Sequence, residues 1–192
     1  MLPSVLLAEE LALTSDDDLS VFERVATLSV CFDFGCKRRQ DVHIHTPEWR
    51  GIEELLANRP DPAAERESIA RAVAYMERIV GTMSPTGRDR GGNEYREDDE
   101  PGQMDCIDES TNTTAYLSLF EERGLLEWHR VMDPVYRAPQ ILDQHWAARI
   151  EEVATGSQFA VDSWPGDNGE PPLIQRVDAW LKKLALDGEW RR

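Results

Sequence analysis

The sequence lacks a long hydrophobic run. No stretch of its 192 residues approaches the roughly 20 apolar residues that cross a bilayer, so no membrane span is predicted. The N-terminus is only briefly apolar, carries no basic leader and soon meets Glu9 and Glu10, which does not match an export signal. We therefore expect a cytoplasmic protein, or an exported one whose N-terminus is processed or truncated.

Cysteines and basic residues are also few. Three cysteines cannot all pair within one chain, which argues against a disulfide-framed secreted scaffold, although Cys31 and Cys36 could pair locally. Lys and Arg number 21 against 37 Asp and Glu, for a formal net charge of −16. Such a surface repels phosphate backbones, so we expect no nucleic-acid partner. A basic peptide or a cation would be a more compatible partner for this acidic surface. Solubility alone would also explain the acidity.

Hydrophobic periodicity predicts an α+β chain that forms one domain over residues 1–192. Asp61 and Pro62 have the residue types of a helix start, and Gly81 is expected to end that helix. Residues 82–104, with acids at 94–100, predict a long loop of the kind that is usually functional. The predicted helices cover 47–57, 62–80, 106–123 and 173–186. The predicted strands cover part of 21–34, 41–46, 125–131, 144–153 and 158–164, with a hairpin turn near 156.

Cys106 stands where the long loop meets the predicted helix. The unpaired N–H groups and the dipole of a helix start favour a thiolate, and the same N–H groups could stabilise an oxyanion. Asp105, Asp108 and Glu109 oppose ionisation of the thiol, although they are also ordinary first-turn carboxylates. A lone cysteine in a helix is more often a small buried hydrophobe, so this segment needs partners to carry a function.

Two such partners lie on successive predicted strands. His145 begins one strand and Asp162 ends the next, and a hairpin between them would bring the two side chains together. His145 would then accept the proton of the Cys106 thiol on one ring nitrogen and donate to Asp162 from the other. The alternative interpretation is a histidine on a strand edge and an aspartate that opens a turn.

The order, spacing and element types of these residues resemble the transglutaminase-like superfamily, and most closely its bacterial transglutaminase-like cysteine proteinases. The matching runs are Asp105-Cys106-Ile107-Asp108, His145-Trp146 and Val161-Asp162-Ser163-Trp164. The resemblance implies a papain-like core in residues 61–192, after an N-terminal strand and helix extension over 1–60. A helix bearing the cysteine at its N-terminus would pack on an antiparallel sheet bearing the histidine and the aspartate.

The resemblance also implies an activity. Cys106, His145 and Asp162 would form a catalytic triad of a thiol hydrolase or acyltransferase that acts on amide bonds of a protein or peptide, and proteolysis is the expected reaction. No cofactor is required. Ile107 stands where the bacterial group carries an acid, so the calcium site of that group does not carry over directly, and Asp105, Asp108 and Glu109 remain candidate calcium ligands.

Further residues have both a functional and a structural interpretation. Gln103 could donate its amide to the oxyanion, or it could be an ordinary loop residue. Trp146 and Trp164 flank the two site residues and could line a cleft or pack in the core. The alternative function is a non-catalytic module of the same fold, in which the acidic loop binds calcium or a basic peptide.

A second cysteine pattern allows a zinc site. Cys31, Cys36, His43 and His45 have the number and softness of a zinc set, but a local disulfide or free thiols are the competing interpretations. Residues 37–39 are predicted to form a solvated basic turn.

Overall fold

The structure is a computed structural model, and it describes residues 23–92, 101–138 and 144–182. The chain is α+β, as predicted. The helices are α1 (Thr46–Leu55), α2 (Pro62–Met83), α3 (Cys106–Glu122) and the short α4 (Val177–Trp180), with a 3₁₀ turn at Pro85–Arg88. The strands are β1 (Arg24–Phe32), β2 (Arg38–His45), β3 (His129–Arg137), β4 (His145–Glu152), β5 (Gln158–Asp162) and β6 (Leu173–Arg176). The lead-in at 1–20 and the acidic residues at 94–100 lie outside the described residues.

The strands form two antiparallel sheets. β1 and β2 make a two-stranded ribbon, and the second sheet has the order β3-β4-β5-β6. The ribbon places Thr27 opposite His43 and Cys31 opposite Arg39. Arg38 and Arg39 therefore belong to β2, and the prediction of a basic turn at 37–39 was wrong for these two residues. Their side chains are exposed, which a ribbon with one solvated face allows.

Helix α2 begins as predicted and ends later. The Asp61 carboxylate accepts a hydrogen bond of 2.8 Å from the Ala64 amide, and Pro62 occupies the first turn, where its missing N–H costs nothing. The helix continues past Gly81 to Met83. A Cβ at Gly81 would come within 2.7 Å of the Gly87 Cα, so this glycine permits a close approach of the next segment rather than ending the helix.

The predicted hairpin is confirmed. β4 and β5 pair antiparallel, with Ala148 opposite Val161, and Gly156 has the positive φ of 68° that the turn requires. The strand predicted over 125–131 instead begins at His129 and runs through Pro134. This proline lies on the edge strand, where the register shifts between Met132 and Val135, and edges and bulges are where a sheet tolerates proline.

The C-terminal prediction of one amphipathic helix over 173–186 was wrong in its first half. Leu173–Arg176 is an edge strand and only Val177–Trp180 is helical, while residues 183–186 lie outside the described part. Apolar residues such as Ile174 and Val177 are compatible with either a helix or a strand. Pairing with β5 decides the outcome, and such a tertiary contact overrides local helix propensity.

One hydrophobic core joins the helices to both sheets. From α3 it takes Tyr116, Leu117 and Phe120, and from β4 and β5 it takes Ala148, Ile150 and Val161. Helix α3 therefore packs on the sheet that carries His145 and Asp162. A smaller cluster places Trp180 of α4 with Val135, Ala147 and Ala160. None of the helices in the described ranges is long and apolar enough to cross a bilayer.

Candidate functional site

Cys106 is the first residue of α3, and its acidic neighbours hold the start of that helix. Asp105 is the N-cap, and its carboxylate accepts hydrogen bonds from the amides of Ile107 (3.0 Å) and Asp108 (2.9 Å). The Asp108 carboxylate accepts in return from the Asp105 amide at 3.3 Å. This reciprocal capping box satisfies amides that a helix start would leave unpaired. The two acids beside Cys106 therefore have a structural reason to be there.

The segment before Cys106 is fixed against residues 85–90. Gly102 has a φ of 98°, and a Cβ at this position would come within 2.2 Å of the Pro85 carbonyl oxygen, so only glycine fits. The Met104 amide donates to Asp89 at 2.6 Å. The Gln103 side chain donates to the Arg88 carbonyl at 2.8 Å and accepts from the Arg90 amide at 3.2 Å. These contacts hold the backbone that enters α3.

His145 and Asp162 form a buried hydrogen-bonded pair. The Nε2 atom of His145 lies 2.8 and 3.0 Å from the two carboxylate oxygens of Asp162, and the two residues are 2% and 1% exposed. The Trp164 ring packs on the His145 ring, with centroids 4.8 Å apart. The pairing and the packing together fix the orientation of the imidazole. The hairpin thus brings these two predicted site residues together.

Trp180 completes this pair and was not identified from the sequence. Its indole N–H donates to the Asp162 carboxylate at 2.8 Å, and its ring lies against His145 at a centroid distance of 5.4 Å. Arg137 donates to the Trp180 carbonyl at 2.6 Å and stacks its guanidinium over the indole at 4.4 Å. A buried indole N–H usually finds a hydrogen-bond partner, so the one signal in the sequence was a tryptophan within an apolar stripe, and nothing local points to Asp162 as its partner.

The Cys106 thiol lies at the start of β4. The backbone amide of Trp146, the residue after His145, is near enough to the sulfur to favour its thiolate form and so acts to lower the pKa of Cys106. The hydroxyls of Thr113 and Ser163 lie 3.0 Å apart and join α3 to the residue after Asp162. The helix that carries the cysteine is therefore joined to the chain that follows the His–Asp pair.

The thiol rests in its protonated form at neutral pH. Burial, together with the carboxylates of Asp105 and Asp162, raises the pKa of Cys106 to about 11 against the opposing effect of the Trp146 amide. A raised pKa means that the thiolate is scarce near pH 7. Any chemistry of this sulfur therefore needs a base that removes the proton as the bond forms.

Three more carboxyl groups form a buried acid cluster behind the start of α3: Glu77, Asp89 and Glu109. Burial raises the pKa of Glu77 to about 7 and that of Asp89 to about 8. Burial also raises the pKa of Glu109, helped by the charges of the other two, and the Glu109 carboxyl shares a hydrogen bond with Asp89. At least one of these acids therefore carries a proton at neutral pH, since like charges so close together in a low dielectric oppose each other.

The remaining predicted site residues have mixed placements. Trp164 packs on the His145 ring, whereas the Trp146 side chain points to solvent and stacks on Tyr136 with centroids 4.7 Å apart. The Gln103 amide is engaged with residues 88 and 90, which fixes it in the segment before Cys106. Its role as an oxyanion donor stays a prediction.

Candidate metal ligands do not gather as the sequence suggested. Cys31 and Cys36 form a disulfide, and His43 pairs across the ribbon with Thr27, four positions along β1 from Cys31. These residues therefore do not form a four-ligand zinc site. Within the described ranges, the one set of candidate ligand atoms that converges is Cys31, Cys36 and Asp108.

The three candidate calcium ligands are each engaged elsewhere. Asp105 and Asp108 cap α3, and Glu109 bonds to Asp89 in the buried cluster. A calcium site built from them would need these contacts to rearrange, and calcium binding stays a prediction.

Comparisons of the chain with models of protein families, with curated proteins and with solved structures return no match.

Proposed function

We propose that the chain is a thiol hydrolase or acyltransferase of the transglutaminase-like, papain-like type, and that it cleaves amide bonds of a protein or peptide. The observation that carries the proposal is the buried His145–Asp162 pair, together with the backbone amide of the next residue, Trp146, which acts to lower the pKa of the Cys106 thiol. A nucleophile, a base and a group that orients the base are the three parts that acyl transfer needs. Proteolysis is the reaction that the resemblance to bacterial proteinases favours.

In the proposed mechanism His145 acts as a general base. Asp162 occupies Nε2, so the proton of the Cys106 thiol passes to Nδ1 as the sulfur attacks the substrate carbonyl carbon. The raised pKa of the thiol favours this concerted removal over a thiolate formed in advance. The imidazolium then gives the proton to the leaving amine, which leaves a thioester on Cys106. Water, activated by His145, hydrolyses the thioester, and an amine in place of water would give transfer.

The oxyanion of the tetrahedral intermediate needs donors close to the sulfur. The Asp105 carboxylate already takes the amides of Ile107 and Asp108, so the backbone amide of Cys106 itself is the donor at hand. Gln103 is the candidate second donor. Preorganised donors of this kind stabilise charge that develops only in the transition state.

Covalent trapping tests the proposal. An epoxysuccinyl peptide or a peptide aldehyde, incubated with the protein in its disulfide form, should form an adduct at Cys106 that mass spectrometry can map. The His145→Ala variant should form no such adduct. Cleavage of a denatured protein substrate, lost in Cys106→Ala, would show the reaction itself. The proposal fails if no peptide electrophile reacts with Cys106 faster in the folded chain than in the unfolded one.

One observation favours a second function, a non-catalytic binding module of the same fold. Burial and two carboxylates oppose ionisation of the Cys106 thiol, which suits a cysteine that does no chemistry. In that case the acids would bind calcium or a basic peptide. Calcium titration of Cys106→Ala, followed by thermal unfolding with magnesium as the control, separates the two. A calcium-specific rise in the unfolding midpoint, in a chain whose parent has no peptide reactivity, would support the module.

A further inference from the structure

The segment that links β1 to β2 has an unusual backbone. Cys31 and Cys36 close it with a disulfide. Within it Asp33, Phe34, Gly35 and Cys36 all have positive φ, at 67°, 65°, 68° and 54°. Residues other than glycine disfavour this left-handed region. The conformation of this segment, the 33–36 loop, therefore depends on the contacts that hold it.

Those contacts reach the start of α3. The amides of Phe34 and Cys36 donate to the two carboxylate oxygens of Asp108, at 2.8 and 2.5 Å. Asp108 is the same residue that completes the capping box around Cys106. The loop therefore holds the carboxylate that in turn holds the first turn of the helix.

The loop also reaches the segment before Cys106. The Asp33 amide donates to the Gln103 carbonyl at 2.9 Å, and the Gly102 amide donates to the Asp33 carboxylate at 2.9 Å. Arg38 holds the other oxygen of Asp33 at 3.2 Å. The 33–36 loop thus contacts the chain on both sides of Cys106.

Each end of the disulfide is anchored differently. Cys31 is 0% exposed, and its backbone amide and carbonyl both bond to the Asn112 side chain, at 2.8 and 2.9 Å. Cys36 is partly exposed, and its backbone amide donates a hydrogen bond to the Asp108 carboxylate. Loss of the disulfide would leave Cys31 held by Asn112, whereas Cys36 and the left-handed residues before it would keep only their bonds to Asp108 and to residues 102–103.

We propose that Cys31–Cys36 is a redox modification site for a dithiol reductant, and that its reduction releases the 33–36 loop from Asp108 and from residues 102–103, which loosens the first turn of α3. A thiolate of the reductant attacks the sulfur of Cys36, the partly exposed residue of the pair, the S–S bond breaks, and Cys31 leaves and takes up a proton. The second thiol of the reductant then displaces Cys36, which takes up a proton. Two electrons and two protons pass to the cysteines, and the reductant becomes a disulfide.

The consequence for activity rests on the proposed function. Cys106 would lose its fixed position and the segment of Gln103 would become mobile, so reduction would inactivate the enzyme. Reoxidation would restore it. The chain would then be catalytically active in an oxidising environment and inactive in a reducing one.

Hydrogen exchange on Cys106→Ala tests the site without reference to catalysis. Reduction by dithiothreitol, verified by mass as a gain of two hydrogens, should speed amide exchange at 33–36 and 102–109 by at least about tenfold. Exchange in the β4–β5 hairpin should not change. A variant with Cys31→Ser and Cys36→Ser in the same background should show the fast exchange without reductant and should not respond to it.

Two outcomes overturn the proposal. Unchanged exchange at 102–109 after verified reduction would mean that the loop does not hold the helix start. Accelerated exchange throughout the chain would mean that the disulfide stabilises the whole fold and is no local switch. Labelling of Cys106 by a peptide electrophile, measured separately in the parent chain before and after reduction, tests the activity. If local exchange responds as expected but the oxidised chain never reacts, the proposed function fails and the redox site stands.

Discussion

Glu77 offers a quantitative test of the buried acid cluster. Its carboxyl is 4% exposed, and one of its oxygens accepts from the Gly169 amide at 2.9 Å. Burial raises its pKa from an ordinary 4.5 to about 7. Between about pH 4.5 and about pH 7, the folded chain therefore holds a proton on Glu77 that the unfolded chain has already released.

The sign of the effect follows from proton linkage. Below about pH 4.5 both states carry the proton, and this contribution to stability is complete. Between about pH 4.5 and about pH 7 the unfolded state ionises first, so the free energy of unfolding falls as the pH rises. The difference between 4.5 and about 7 corresponds to about 3 kcal/mol at about 1.4 kcal/mol per pH unit. Asp89 and Glu109, whose pKa values are also raised, act in the same direction.

Glu77→Gln removes the ionisation and keeps an oxygen that can accept from Gly169. Urea unfolding should show the parent chain losing several kcal/mol of stability from about pH 4.5 to about pH 8, and the variant losing about 3 kcal/mol less. Glu67→Gln is the matched control, since Glu67 lies exposed on the same helix. A parent chain whose stability is flat over this range, or a variant with the same slope as the parent, would refute the reasoning.

Two further substitutions test the site. Trp180→Phe keeps the ring beside His145 and deletes the 2.8 Å hydrogen bond to Asp162. Because a bond to a charged group contributes about 1.5 kcal/mol or more, kcat should fall roughly tenfold with KM little changed. An unaltered kcat would contradict the positioning role of Trp180. Asp105→Asn keeps a capping oxygen and removes a charge that raises the pKa of Cys106. The pH dependence of iodoacetamide labelling of Cys106 should therefore move to lower pH. An unmoved profile would show that this charge does not act on the thiol.

Local patterns in the sequence predicted most of the elements that carry the candidate site. Helix α3 was predicted to start at Cys106 because a glycine-rich loop precedes an apolar stripe, and that start is confirmed. The hairpin followed from two apolar runs around Gly156, and it is confirmed with antiparallel pairing. These signals lie within a few residues of the feature they predict, which is why a single sequence suffices for them.

Features that depend on distant contacts were missed. Trp180 bonds to Asp162 only because β6 and α4 fold back along β5, which no local pattern indicates. Gly81 lies inside α2, where the absence of a side chain leaves room for the chain that returns at Gly87. The bonds from the 33–36 loop to Asp108 join residues more than seventy positions apart. Tertiary contacts of this kind override local propensity, and only the three-dimensional arrangement shows them.

The reactivity of one thiol tests the central claim most directly. With the disulfide intact, Cys106 is the one free cysteine of the chain, so the rate of iodoacetamide labelling at neutral pH reports on it alone. If His145 removes its proton, the folded parent should react at least about tenfold faster than His145→Ala, and His43→Ala, at an exposed histidine on β2, should match the parent. Equal rates in the parent and in His145→Ala would contradict the account.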